Sequence, residues 1–224
     1  MAILRIKICN SRIITCGGIA LTNESALMPL HIDKPIALVG LMGVGKTTVG
    51  RRLAKRLGRG FDDSDDAIEQ ASGRTVAGYF RDHGEADFRD GEMRVIKRLL
   101  AETPPIVLAT GGGAFIHPPT RDLLREHALV IWLKGDLDTL VERVSRNNKR
   151  PLLQGVDKRA KMRELMQARH PIYAQAHLKV KIARGPHLRT VNRVMRVLKM
   201  HEEKAQQEPP RPKNADGEMP NAPR

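Results

Sequence analysis

Aromatic side chains are scarce in this sequence: four Phe, two Tyr and one Trp, 3% of 224 residues. That argues against the stacking platforms on which single-stranded nucleic acids lay their bases. Cysteine is nearly absent. Cys9 and Cys16 are the only two, and their spacing makes neither a CxxC pair nor a metal knuckle. The pattern fits a reducing, cytoplasmic setting. Long apolar runs are missing too, and nothing approaches the roughly 20 residues that span a bilayer. Acids are outnumbered, 25 Asp and Glu against 39 Lys and Arg, for a formal charge of +14. Such a balance points to an anionic partner, nucleic acid or phosphorylated small molecules, with most of the charge simply solvated.

What remains is an ordinary soluble chain. An apolar fraction of 41% suffices for a core, and the length suits one generous domain with loose ends. Residues 1 to 33 read as a disordered leader or as sequence ahead of a true start at Met28. The apolar stretch "MAILRIKICNSRIITCGGIALT" carries Arg5, Lys7 and Arg12, is broken by Thr15, Gly17 and Gly18, and has no clear cleavage site. Residues 201 to 224, rich in proline and polar side chains, cannot bury a face and read as a disordered tail. The folded body is therefore expected at 34 to 200.

Within that body, apolar runs alternate with helical patterns. Strands are predicted at 35–40, at "RGFDD", at 104–110, at 128–133 and at 177–183. Helices are predicted at 46–57, at "DAIEQAS" with Asp66 as a candidate cap, at 85–101, at 136–146 with Asp136 as cap, and at 190–200. This alternation implies right-handed crossovers and an α/β fold, a five-stranded parallel sheet with helices on both faces.

Between the first strand and the first helix lies "GLMGVGKT", Gly40 to Thr47, which fits G-x-x-x-x-G-K-[ST] in the context that motif requires. Gly40, Gly43 and Gly45 let the backbone turn its N–H groups toward phosphate oxygens, and the helix start adds its positive end. Gly43, Val44, Gly45, Lys46, Thr47 and Thr48 are thus the expected nucleotide contacts. Lys46 reaches the β- and γ-phosphates, and the Thr47 hydroxyl serves Mg²⁺. The chain is read as binding ATP with one Mg²⁺.

The carboxylates crowd together soon afterwards. "RGFDDSDDAIEQ" places Asp62, Asp63, Asp65, Asp66 and Glu69 within residues 59 to 70. If the segment is extended, Asp63 and Asp65 face one way at the carboxyl edge of the sheet, where open α/β sheets bind ligands. One would serve the metal and the other a substrate hydroxyl. Asp62 and Asp66 would then face elsewhere. A second reading, a helix cap with surface acids, fits the cluster equally well.

Further on come "FR" at Phe88 and Arg89, "GGG" at 111–113, "RPLL" at 150–153 and "RHPIY" at 169–173. In this order and spacing, over about residues 35 to 198, the set resembles the shikimate kinases, P-loop small-molecule kinases of the nucleoside monophosphate kinase type. Gluconate and adenylate kinases share only the loop and general layout.

The resemblance implies a three-layer P-loop kinase fold with a mobile lid at about 143–162. It implies ATP-dependent phosphorylation of the shikimate 3-hydroxyl. Arg89 and Arg169 correspond to the pair that grips the substrate carboxylate, a task suited to planar guanidinium groups. The alternative for Arg89 is a surface ion pair with Glu85 or Glu92 on the same helix. Asp65 corresponds to the residue that binds ring hydroxyls and is the candidate base, and Asp63 to the one that supports Mg²⁺. Gly111, Gly112 and Gly113 correspond to the run that contacts substrate. Arg150 matches the lid arginine that reaches the transferred phosphate, so that Lys46, Asp65 and Arg150 form the catalytic set. Arg143 matches the residue packed on adenine, and His187 lies in the variable nucleotide loop. Partners are ATP and shikimate, with neither nucleic acid nor membrane, in a cytoplasmic monomer. The competing readings are a kinase of another polyol such as gluconate, and a nucleic-acid-binding ATPase suggested by the charge.

Overall fold

The computed structural model describes residue 30, residues 32–146 and residues 156–207. Most of the expected leader, the middle of the expected lid with Arg150, and the tail after residue 207 lie outside the described residues.

Five strands form one wholly parallel sheet: β1 (Ile36–Val39), β2 (Phe61–Asp63), β3 (Val107–Ala109), β4 (Leu129–Lys134) and β5 (Leu178–Lys181). Their order is β2-β3-β1-β4-β5. This is the α/β architecture that the alternating pattern predicts. All four β1 residues are buried, as befits the middle strand of a sheet covered on both faces. Burying Ile36, Leu38 and Val39 contributes about 1.5–3 kcal/mol apiece.

The helices are α1 (Lys46–Leu57), α2 (Ser64–Ser72), α3 (Val76–Leu100), α4 (Pro118–His127), α5 (Leu137–Ser145), α6 (Lys158–Tyr173) and α7 (His187–Gln207). The chain leaves β1 for β2 through α1, then works back across the sheet. With right-handed crossovers, opposite directions of travel put helices on opposite faces. Hence α1, with α7 packed against it, covers one face, while α3 packs with α4 and α5 with α6 on the other. The connections out of β1 and out of β3 diverge to these two faces. A crevice therefore opens between the carboxyl ends of these adjacent strands, and it is here that open α/β sheets hold ligands.

Several boundaries differ from the sequence expectation. Ile32 is buried in the core and Leu30 packs against it, so ordered packing begins ahead of residue 34. Arg59 fastens this stretch by donating to the carbonyls of Ile32 and Lys34. Helix α3 starts at Val76 and is broken at Gly84 (φ 81, ψ 176); the pattern at 85–101 is its second half. Helices α4 and α6 were not anticipated. The first opens on Pro118–Pro119, which reads as loop although proline suits a first helical turn; the second contains Pro171. The expected lid overlaps both neighbours, because Arg143 belongs to α5 and residues 158–162 to α6. Helix α7 passes Met200 and runs to Gln207, its last residues exposed, so the tail is helical at its start. Asp136 caps α5 as expected, accepting from Thr139 N at 2.9 Å.

Candidate active site

Residues 40 to 45 leave β1 and turn into α1. Gly40, Gly43 and Gly45 have φ of 140, 83 and 88, values side-chain-bearing residues rarely adopt. Gly45 caps α1 with no side chain of its own, so the helix's first N–H groups stay free for a ligand. Lys46 bends back over the loop, Nζ donating to Gly40 O (2.8 Å) and Leu41 O (3.3 Å). Val44 is buried and contributes backbone alone; its carbonyl accepts from Arg143 Nη1 at 3.2 Å. Arg143 Nη2 also donates to Ala183 O (3.4 Å), which ties the loop to the segment after β5.

The loop faces a cavity of about 610 Å³. Gly43, Gly45, Lys46, Thr47 and Thr48 form its floor, and Arg143, Arg146 and His187 stand on the far side. Of the residues expected to contact the nucleotide, all that are described line this cavity except Val44, which is buried beneath the loop. Arg146 lines the rim as well and pairs with Glu142 at 2.5 Å.

The acidic cluster divides its work by position. Thr47 Oγ1 donates to Asp63 Oδ2 at 2.7 Å, which brings the two expected metal-site groups together. Asp63 ends β2 and caps α2, its Oδ1 accepting from Asp65 N at 3.1 Å. Asp66 is therefore not the cap; it is exposed in the first turn of α2. Strand alternation also fails as the reason Asp63 and Asp65 converge. The strand stops at Asp63, and the cap turn carries Asp65 round to the same crevice. Asp62 lines neither of the two cavities at this crevice, and burial pushes its carboxyl up against the opposing pull of Arg98.

A hydroxyl and a carboxylate side by side at the phosphate loop suit Mg²⁺, which keeps most of its water and takes few protein oxygens. No cluster of three or more His, Cys, Asp or Glu is found among the described residues, so an all-protein cage is not built there.

Asp65 borders both the large cavity and a smaller one of about 200 Å³. The smaller one has Arg89 and Arg169 as its cations, Gly111, Gly112 and Gly113 along one side, and Phe80 and Phe88 as an apolar wall. Arg89 Nη1 pairs with Glu92 Oε2 at 2.6 Å and Nη2 with Glu85 Oε1 at 3.3 Å. Its guanidinium lies over the Phe80 and Phe88 rings, 5.5 and 5.2 Å from their centroids. The ion pair weighed as the alternative for Arg89 is half internal, since the Glu92 side chain is 1% exposed. Burial pushes the Glu92 carboxyl up, Arg89 opposes this, and Oε1 has no hydrogen-bond partner among the described residues.

The triple-glycine turn is bolted from both sides. Gly111 N donates to Ser64 Oγ (2.9 Å). Gly112 O accepts from Tyr173 OH (2.6 Å) and from Arg169 Nη1 (3.3 Å). Burial raises the Tyr173 hydroxyl to about 12, so it stays a donor at any working pH. Ser64, Glu92 and Tyr173 had no role in the sequence reading. Ser64 stands between Asp63 and Asp65, Glu92 was weighed only as a partner for Arg89, and Tyr173 ends the "RHPIY" run.

A Cβ on Gly111 would lie 2.6 Å from Asp65 Oδ1 and 2.9 Å from Glu92 Oε1. Gly111→Ala must push both carboxylates aside. Overpacking of this kind costs roughly 1–3 kcal/mol, so KM for the acceptor should rise roughly five- to 150-fold. KM for the nucleotide should change less, because Gly111 itself does not line the larger cavity and only the displaced Asp65 borders it. Steady-state kinetics with each substrate varied in turn would check this.

The shikimate kinase family model matches residues 42–199. A shikimate kinase of Caulobacter vibrioides is 50% identical over 173 residues, which cover 77% of this chain and 86% of that protein. One from Paramagnetospirillum magneticum is 47% identical over 175 residues, covering 78% and 89%. Among solved structures, shikimate kinase from Acinetobacter baumannii in complex with shikimate superposes with a TM-score of 0.70 at 37% identity, covering 75% of this chain and 94% of that one.

Proposed function

The chain belongs to the shikimate kinase family, and on that premise we propose how its residues phosphorylate the 3-hydroxyl of shikimate with ATP. The products are shikimate 3-phosphate and ADP, on the route to chorismate and the aromatic amino acids. The gluconate alternative is not favoured, since the close relatives are shikimate kinases. The observation that carries the residue-level reading is the junction of the two cavities at Asp65. One cavity has phosphate-binding chemistry, the other has two guanidinium groups and a carboxylate, and the same side chain borders both.

In this reading the loop N–H groups, Lys46, Thr48, Arg143 and His187 hold ATP. Arg89 and Arg169 clamp the shikimate carboxylate, which fixes the ring against Gly111, Gly112 and Gly113. Asp65 accepts a hydrogen bond from the 3-hydroxyl. The hydroxyl oxygen bonds to the γ-phosphorus as the bond from that phosphorus to the β–γ bridging oxygen breaks, and the hydroxyl proton passes to Asp65. Arg150, outside the described residues, is assigned to the transferred phosphate by its match to the lid arginine of the family. Thr47 and Asp63 are the residues that would hold one Mg²⁺. When bound, that ion would offset the negative charge of the phosphates. The basic residues facing two anionic substrates give part of the positive charge a use, so we assign no nucleic-acid partner. We further read the enzyme as a cytoplasmic monomer. No described helix is long and apolar enough to cross a membrane.

The metal assignment has a direct test. Asp63→Asn should raise the Mg²⁺ concentration for half-maximal rate roughly 10–100-fold, the usual scale for a disturbed metal site. Saturating Mg²⁺ should restore much of the rate. An unchanged Mg²⁺ requirement would remove Asp63 from the metal site.

A further inference from the structure

His187 opens α7 and reaches across to the phosphate loop. A Cβ placed on Gly45 would lie 2.7 Å from His187 Cε1 and 3.0 Å from Nδ1, with Arg143 Nη1 at 3.7 Å from the same point. The ring therefore rests on the last glycine of the loop, where phosphates arrive. Its Nδ1 is buried and has no hydrogen-bond partner among the described residues, although the ring borders the nucleotide cavity. A polar atom kept dry and unpaired beside a ligand cavity lacks its partner until the ligand comes.

We propose that His187 is a positioning residue for the nucleotide, donating from Nδ1 to an α-phosphate oxygen and taking up a proton as the nucleotide binds. This rests on the larger cavity being the ATP site, and it places His187 at the phosphates. The charged groups around the ring fit such a role. Arg143 reaches it from α5 and Arg52 from α1; Arg146 on the same cavity is already paired with Glu142. The free imidazole is held below its ordinary value, by burial first and then by the cations Arg143 and Arg52. Arriving phosphates reverse the local charge and favour the imidazolium. A group whose affinity for protons rises on binding makes the ligand bind more tightly at lower pH.

The test uses the full chain, with ADP and adenosine as probes and titration calorimetry in buffers of differing ionisation enthalpy between pH 6 and 8. ADP should bind with proton uptake and tighten by up to about tenfold toward pH 6, the effect of roughly one unit of pKa change. Adenosine should bind without uptake. His187→Asn, which keeps a neutral hydrogen-bonding atom near the Nδ1 position, should lose both the uptake attributable to the ring and the tightening toward pH 6. Proton NMR of His187 should show its pKa rising when ADP is added, a readout that needs no variant. Equal uptake in the parent and His187→Asn, or a His187 pKa unmoved by ADP, would overturn the proposal. Failure of ADP to bind the parent at all would instead sink the ATP-site reading.

Discussion

Asp65→Asn should reduce turnover by roughly 10²–10⁴, the range for loss of a positioned proton acceptor. Affinity for ATP with Mg²⁺ should stay within a few fold. The substitution keeps shape and one acceptor but cannot take the proton. It also spares the link to Asp63, because that link uses the backbone N–H of Asp65. Some rise in KM for shikimate is expected as well, since the same carboxylate holds the substrate. Asp62→Asn is the control: its side chain lines neither cavity and feels Arg98 instead. Steady-state kinetics together with ADP affinities would decide. Should Asp65→Asn weaken ADP as much as it slows turnover, Asp65 would belong to the nucleotide site alone.

The second large effect concerns the carboxylate clamp. Arg89→Lys and Arg169→Lys each keep a positive charge but lose the planar fork that pairs with a carboxylate through two bonds. Loss of roughly 2 kcal/mol of charge-assisted bonding should raise KM for shikimate roughly 30-fold, with less effect on KM for ATP. The two positions should differ in stability. Arg89 is the cation beside the buried Glu92, so Arg89→Lys also disturbs that pair and should lower the melting temperature. Arg169 donates to the Gly112 carbonyl and lies beside the Tyr173 hydroxyl, neither of them a carboxylate, and Arg169→Lys should melt near the parent. A rise in KM for ATP equal to that for shikimate would argue against the clamp.

The phosphate loop was legible because its chemistry is local: a strand, three glycines with left-handed φ, a lysine and a helix follow one another in sequence. The fold class was legible for a similar reason, since the strands that build the sheet are apolar runs set between helical patterns. The acidic pair was found by its spacing for the wrong reason, because a capping turn rather than a strand brings Asp63 and Asp65 together. Ser64, Glu92 and Tyr173 were not legible as site residues. Their meaning depends on Gly111, Gly112 or Arg89, and whether Ser64 or Tyr173 reaches the Gly111–Gly113 turn is fixed by sheet order and by the packing of α6. Glu92 looked like one more surface acid until its burial was known.

The most direct measurement is ADP release by the full chain with ATP and Mg²⁺, offered shikimate, gluconate, RNA or water alone. Release should be fast only with shikimate, with one shikimate 3-phosphate formed for each ADP. Comparable release with gluconate, stimulation by RNA, or rapid hydrolysis with no acceptor would contradict the assignment of the smaller cavity to shikimate.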